Sequence, residues 1–144
     1  MPLYYIMDNL TKEQRKKNMK AIRSRDTKIE VSLRKELWKR GYRYRIHYKK
    51  LKGKPDIVFV KQKIAVFCDS EFFHGFNWNE QQKNIKSNRE YWIPKIESNI
   101  TKDRMVTKTL EKDGWVVLRF WGKEIQKNIK YCVDRIEQTI LERT

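Results

Sequence analysis

The chain has 144 residues, with 34 Lys or Arg against 18 Asp or Glu and a formal net charge of +16. With 36% charged and 39% apolar residues, and no apolar run near the ~20 residues needed to cross a bilayer, it reads as one folded domain. The composition excludes a membrane-spanning or largely disordered chain. Lys and Arg are spread along most of the sequence, which favours a folded face tracking phosphates, with a membrane surface as the rival partner.

Residues 1–10 are expected to form a flexible arm ahead of a single domain over residues 11–144; they lack a basic n-region and a cleavage site, so no secretion signal is expected. Cys68 and Cys132 are the only cysteines, which suggests a reducing, intracellular compartment. Thr11-Lys12-Glu13-Gln14 has capping-box spacing and predicts a short basic helix to about Arg23. Thr27-Lys28-Ile29-Glu30 repeats that spacing and predicts a second helix, closing near Gly41. Tyr42 to Tyr48 alternates aromatic or apolar with basic residues and predicts a half-exposed strand, with His47 on its surface or against a phosphate.

Asp56 to Lys61 and Lys63 to Cys68 predict two strands joined by a tight turn. Phe72 to Asn84 has no clean period and reads as loop. Ser87-Asn88-Arg89-Glu90 opens a helix, Pro94 predicts a break or restart, and helix follows from about Ser98 to Lys112. Asp113-Gly114 is a stop, Trp115 to Trp121 a buried strand, and about Ile129 to Glu142 a last helix. The expected fold class is α/β, a mixed sheet flanked by helices.

The chemistry gathers around two apolar runs. Asp56 opens the first behind Gly53-Lys54-Pro55; Asp69 and Glu71 close the second, and His74 follows five residues after Asp69. Carboxylates at strand ends suit magnesium, which prefers oxygen ligands and water. An imidazole suits proton transfer near neutral pH. In so basic a chain this pattern reads as a metal-assisted nuclease. Glu30 is ambiguous, because a capping box accounts for a Glu at that position without catalysis.

The order of segments resembles the very-short-patch-repair (Vsr) DNA mismatch endonucleases, a branch of the PD-(D/E)XK nuclease fold. The matching segments are Lys17-Asn18-Met19-Lys20-Ala21-Ile22, Arg25 to Glu30, Gly53 to Asp56, Phe72-Phe73-His74, Tyr91-Trp92, Asn99, Lys102-Asp103 and Asp113 to Leu118. The resemblance implies that Asp56 and the backbone carbonyl of Cys68 bind metal, that Glu30 holds its waters, and that His74 handles the proton; Asp69, which departs from the family pattern, is expected to hold metal-bound water or to bind the metal directly. It implies magnesium, with manganese as a substitute. It also places Phe72, Phe73 and Trp92 as wedges in the base stack beside a mismatch and Met19 in the opposite groove. Lys16, Lys17, Lys20, Arg23 and Arg25 would then hold phosphates. For the Phe pair, set in a polar loop, exposure is expected.

There are departures from the pattern. Asp69 replaces a histidine, Glu71 replaces a zinc-ligand cysteine, and Lys123 stands where the last such cysteine would fall. No structural zinc is therefore expected, and packing, with Phe76 and Trp78 as candidates, must hold the loop. The implied activity is a magnesium-dependent endonuclease nicking one strand of double-stranded DNA near a mismatched (T:G-type) or distorted pair. A Vsr-like restriction or homing nuclease without mismatch preference stays open, as does a catalytically degenerate DNA-binding module. An RNA-binding protein fits the charge but not the acid–histidine pattern. The implied setting is a cytoplasmic, nucleoid-associated monomer working beside mismatch-repair proteins and a cytosine methyltransferase, away from membranes.

Overall fold

In this computed structural model, residues 26–144 are described. The expected arm and basic N-terminal helix lie outside them, as do Lys16, Lys17, Met19, Lys20, Arg23 and Arg25.

Three strands form one sheet in the order β1-β2-β3: β1 (Ile57–Phe59), β2 (Ile64–Asp69) and β3 (Val116–Trp121). β1 and β2 are antiparallel, with Ile57 opposite Val66, and are joined by the expected tight turn. β2 and β3 are parallel, with Ile64 opposite Val116. A parallel pair needs a long crossover, and helix α3 (Arg89–Lys112) supplies it after the short helix α2 (Trp78–Gln81). Alternation along β2 then feeds two cores. Ile64 and Val66 join Leu33 and Leu37 of α1 (Lys28–Lys39), Ile125 of α4 (Gly122–Lys127) and Ile136 of α5 (Ile129–Glu142). Ala65 and Phe67 pack instead under Leu110 of α3. The mixed sheet is covered by helices on both faces, as expected for the class.

Three local expectations are corrected. Tyr42 to Tyr48 is not a strand; only Arg45 bridges Val58, because Tyr42 and Tyr44 are turned to helices through Glu137 and the Arg34 carbonyl. His47 sits in a left-handed bend (φ +53°), which ends any extended run. Pro94 does not break α3. It is the sixth residue of that helix, so the bond its missing N–H forfeits would go to the carbonyl of exposed Glu90. The stretch after Phe72 is not all loop, since α2 and a short 3-10 turn (Gln82–Asn84) lie within it.

The expected exposure of Phe72 and Phe73 is also corrected. They are 8% and 6% exposed and, with Trp92 at 4%, form an aromatic cluster with edge-on contacts at 5.1 Å. Ile85 and Ile96 complete it. The loop had seemed polar because its apolar partners come from α3, distant in sequence. Among the described residues no helix is long and apolar enough to cross a membrane.

Candidate active site

Asp56 extends the β1–β2 ladder by one residue, its N–H donating to the Val66 carbonyl at 2.9 Å. Its Oδ2 accepts the Cys68 N–H at 2.6 Å. The carboxyl is thus held at the sheet end beside the Cys68 backbone. Burial pushes its pKa up to about 7, and the negative charges of Glu30 and Asp69 push the same way against the Cys68 hydrogen bond. Among the described residues no cation compensates that carboxyl.

Glu30 is 7% exposed and belongs to α1. The capping box predicted for it is not made. Glu30 Oε2 accepts the Asp26 N–H at 3.0 Å rather than that of Thr27, and the Thr27 hydroxyl is buried without a partner. Arg34, one turn on, holds the same oxygen at 3.2 Å. Arg34 also pairs with Asp26 at 2.8 Å, and Asp26 accepts His47 Nε2 at 3.1 Å. His47 is therefore part of the brace behind Glu30, which corrects its reading as strand surface.

Asp69 closes β2, 5% exposed and on the α3 side of the sheet. Burial raises its pKa, while His74 and Arg119 hold it down. His74 Nδ1 lies 2.6 Å from Asp103 Oδ2 and 3.7 Å from Asp69 Oδ1. Burial alone would lower the imidazole pKa, but the two carboxylates outweigh it and the net shift is upward. Asp103 was missed as a site residue, although Lys95, Asn99, Lys102 and Asp103 have the spacing of one helix face. Asn99 serves too, its amide donating to the Phe73 carbonyl at 3.0 Å. Arg119 was also missed, and its only signal was a charge inside the apolar run Val-Val-Leu-Arg-Phe-Trp.

Part of this constellation lines a cleft of about 670 Å³. Glu30, Asp56, Cys68, Asp69, His74 and Asp103 lie along it, with Lys28, Lys54, Lys95 and Lys102 also on its wall. The structure thus brings together Glu30, Asp56, Cys68, Asp69 and His74; Phe73 touches the same cleft, whereas Phe72 and Trp92 lie behind it in the aromatic cluster. Donor atoms of Asp69, His74 and Asp103 lie within 4.8 Å of one another, a group able to hold a divalent cation. Glu30, Asp56 and the Cys68 carbonyl add the hard oxygens that magnesium prefers. The donor chemistry and the uncompensated Asp56 both fit a divalent metal.

The zinc-like corner is built differently. Glu71 Oε2 accepts the Lys123 N–H at 3.0 Å, which links two positions where the family pattern has zinc-ligand cysteines. Phe76 packs edge-on against Trp121 at 5.1 Å, and Trp78 packs against the Phe72–Phe73 cluster. The purified protein is accordingly expected to hold no stoichiometric zinc and to keep its melting temperature in chelator. Elemental analysis finding about one tightly held zinc per chain would overturn that expectation.

A mixed sheet carrying acids at its strand ends, a histidine–aspartate pair and a lysine-lined cleft define a divalent-metal nuclease of the PD-(D/E)XK class. Comparison with known proteins agrees. The model of the DNA mismatch endonuclease Vsr family matches residues 7–80. The chain is 47% identical to the Type II nicking enzyme V.NmeDIP of Neisseria meningitidis serogroup C, over 95% of this chain and 93% of the relative. It is 46% identical to the Type II nicking enzyme V.HpaIIP of Haemophilus parainfluenzae, over 95% and 98%. It is 34% identical to the DNA mismatch endonuclease Vsr of Escherichia coli (strain K12), over 91% and 83%. This chain belongs to the Vsr family of DNA mismatch endonucleases.

Proposed function

We propose that the protein nicks one strand of duplex DNA beside a mismatched, T:G-type or otherwise distorted base pair, as in very short patch repair. The observation that carries this reading is the single cleft where Asp56, Glu30, Asp69 and the His74–Asp103 pair meet among lysines. Asp56 and the Cys68 carbonyl are the proposed ligands of magnesium or manganese, with Glu30 and Asp69 holding the waters around it. When bound, the metal supplies positive charge against the phosphoryl oxygens as negative charge develops on them.

The side chains do the rest. Asp103 accepts at His74 Nδ1, which orients the ring and leaves Nε2 to exchange a proton with the attacking water or the leaving oxygen. The two carboxylates beside His74 shift its imidazole pKa upward and so favour the protonated ring, the form that donates a proton. Lys54, Lys95 and Lys102 hold the strand through its phosphates. A wedge role for Phe72, Phe73 and Trp92 requires their cluster to open on DNA, and Met19 with Lys16, Lys17, Lys20, Arg23 and Arg25 would approach from the N-terminal side.

A second reading, nicking without mismatch preference, is favoured by the relatives named Type II nicking enzymes, V.NmeDIP and V.HpaIIP among them, a name that mentions no mismatch. Nicking of T:G, matched and methylated duplexes in magnesium separates the two. The first reading expects the T:G duplex to be cut well ahead of the matched one; equal rates favour the second. The cellular setting proposed is a cytoplasmic monomer on the bacterial nucleoid, working beside a cytosine methyltransferase and mismatch-repair proteins.

DNA affinity is expected to fall steeply with salt. About six phosphate contacts give a slope of about −5 in log affinity against log salt. Fluorescence anisotropy at several salt concentrations measures it. A slope shallower than about −2 would mean that the +16 charge is mostly solvated surface.

A further inference from the structure

Arg119 ties three elements together at the site. Its register opposite Phe67 puts it on the sheet face that carries Asp69, with the guanidinium 4.1 Å over the Phe67 ring. Nε donates to Thr107 Oγ1 at 2.9 Å, and Nη2 donates to the Asp103 backbone carbonyl at 3.3 Å. Nη1 lies 3.1 Å from both Asp69 carboxylate oxygens. Asp103 and Thr107 are one turn apart on α3, so a single planar fork joins the end of β2, the middle of β3 and the helix bearing the histidine's partner.

The consequence concerns His74. Two carboxylates compete for its Nδ1, Asp103 at 2.6 Å and Asp69 at 3.7 Å. Asp69 is 5% exposed and cannot turn to bulk water, so its position depends on the cations around it. In the metal-free protein, with the guanidinium removed, the remaining cation beside it among the described residues is the imidazole, and the carboxylate would close on Nδ1 and displace Asp103. We propose that Arg119 is a positioning residue of the nicking site: it holds Asp69 off His74 Nδ1, so that Asp103 alone sets the orientation of the ring. Lysine cannot do the same, because one ammonium does not reach Asp69, Thr107 and the Asp103 carbonyl from a fixed plane.

The proposal rests on the nuclease reading for its rate effect but not for its spectroscopic one. The chain has two histidines, so ring nitrogen signals of ¹⁵N-histidine-labelled, metal-free protein resolve His74, with His47 as an internal control. In Arg119→Gln, the His74 ring signals are expected to shift while those of His47 stay. Single-turnover nicking is expected to fall about thirtyfold or more, with DNA affinity within about threefold. Adding Asp69→Asn removes the competing charge and returns the His74 signals toward those of the wild type. Unchanged His74 signals in folded Arg119→Gln, or nicking within about threefold of wild type, overturn the proposal.

If Arg119→Gln does not fold, Thr107→Val takes its place, removing one anchor of the fork with little change in shape. It should shift the His74 signals and slow nicking about threefold to tenfold, and no change in either overturns the proposal. If the wild-type protein nicks no duplex at all, the nuclease reading fails, and the ring signals still decide whether Arg119 positions His74.

Discussion

Asp56→Asn is expected to lower single-turnover nicking about a thousandfold or more, equivalent to about 4 kcal/mol of transition-state stabilisation. DNA binding should survive, because the lysines of the cleft are untouched. So should the fold. The Cys68 N–H that donates to Asp56 Oδ2 at 2.6 Å can donate equally to an amide oxygen, and the new amide can donate to Glu30. The same substitution should raise the melting temperature of the metal-free protein. The Asp56 pKa is about 7 in the folded chain, because burial and the neighbouring carboxylates disfavour its charge. An unfolded Asp titrates at about 3.9. Between those values the folded state keeps a proton that the unfolded chain has lost, so stability is greatest on the acid side and falls as pH climbs toward 7.

Asp69 and His74 are raised as well and act in the same direction. Melting of the metal-free wild type should therefore fall between about pH 4 and pH 7, with a smaller fall in Asp56→Asn. Magnesium should restore the wild type at pH 8 more than the variant. Nicking by Asp56→Asn within about tenfold of wild type would remove Asp56 as the principal ligand, and a pH-independent melting temperature would remove the account of its environment.

Phe73→Ala is expected to cost about 3–5 kcal/mol of stability, a loss that thermal melting detects easily. Phe73 is 6% exposed, meets Phe72 edge-on at 5.1 Å and Trp92 at 6.2 Å, and has its carbonyl fixed by Asn99 at 3.0 Å. Removing the ring leaves a cavity beside the loop that carries His74. Cleavage and binding of matched and distorted DNA should then weaken together at temperatures near the lowered melting point. A pre-exposed wedge behaves oppositely. It leaves the melting temperature nearly unchanged and lowers only the cleavage of distorted duplexes. That outcome would show that the cluster contributes little to the free protein's fold.

What the sequence disclosed, and what it hid, follows the range of the forces involved. α1, α5 and the three-strand sheet were legible because apolar period and turn chemistry are local. Glu30, Asp56, Asp69 and His74 were legible from the family resemblance and their places at element ends, and they do line one cleft. The aromatic loop was misread because its partners lie on α3, and a wedge and a core residue have the same composition. The strand expected at Tyr42–Tyr48 failed for a similar reason: Tyr42 and Tyr44 are bonded to helices rather than aligned along a sheet edge. α4 was missed because it is six residues long and begins at Gly122. Asp103 and Arg119 required the helix and strand faces to be set against one another. Arg119 was the more legible in retrospect, since a buried strand carries a charge only where something opposite compensates it.

The central claim is that this acid-lined cleft cuts one strand of DNA with the help of a divalent metal. The most direct measurement is single-turnover cleavage of a T:G duplex labelled separately on each strand, in magnesium and in excess chelator. The predicted result is a product from one labelled strand in magnesium, an intact complementary strand, and no product in chelator. Product that persists undiminished in chelator, or equal cutting of both strands, would contradict the account.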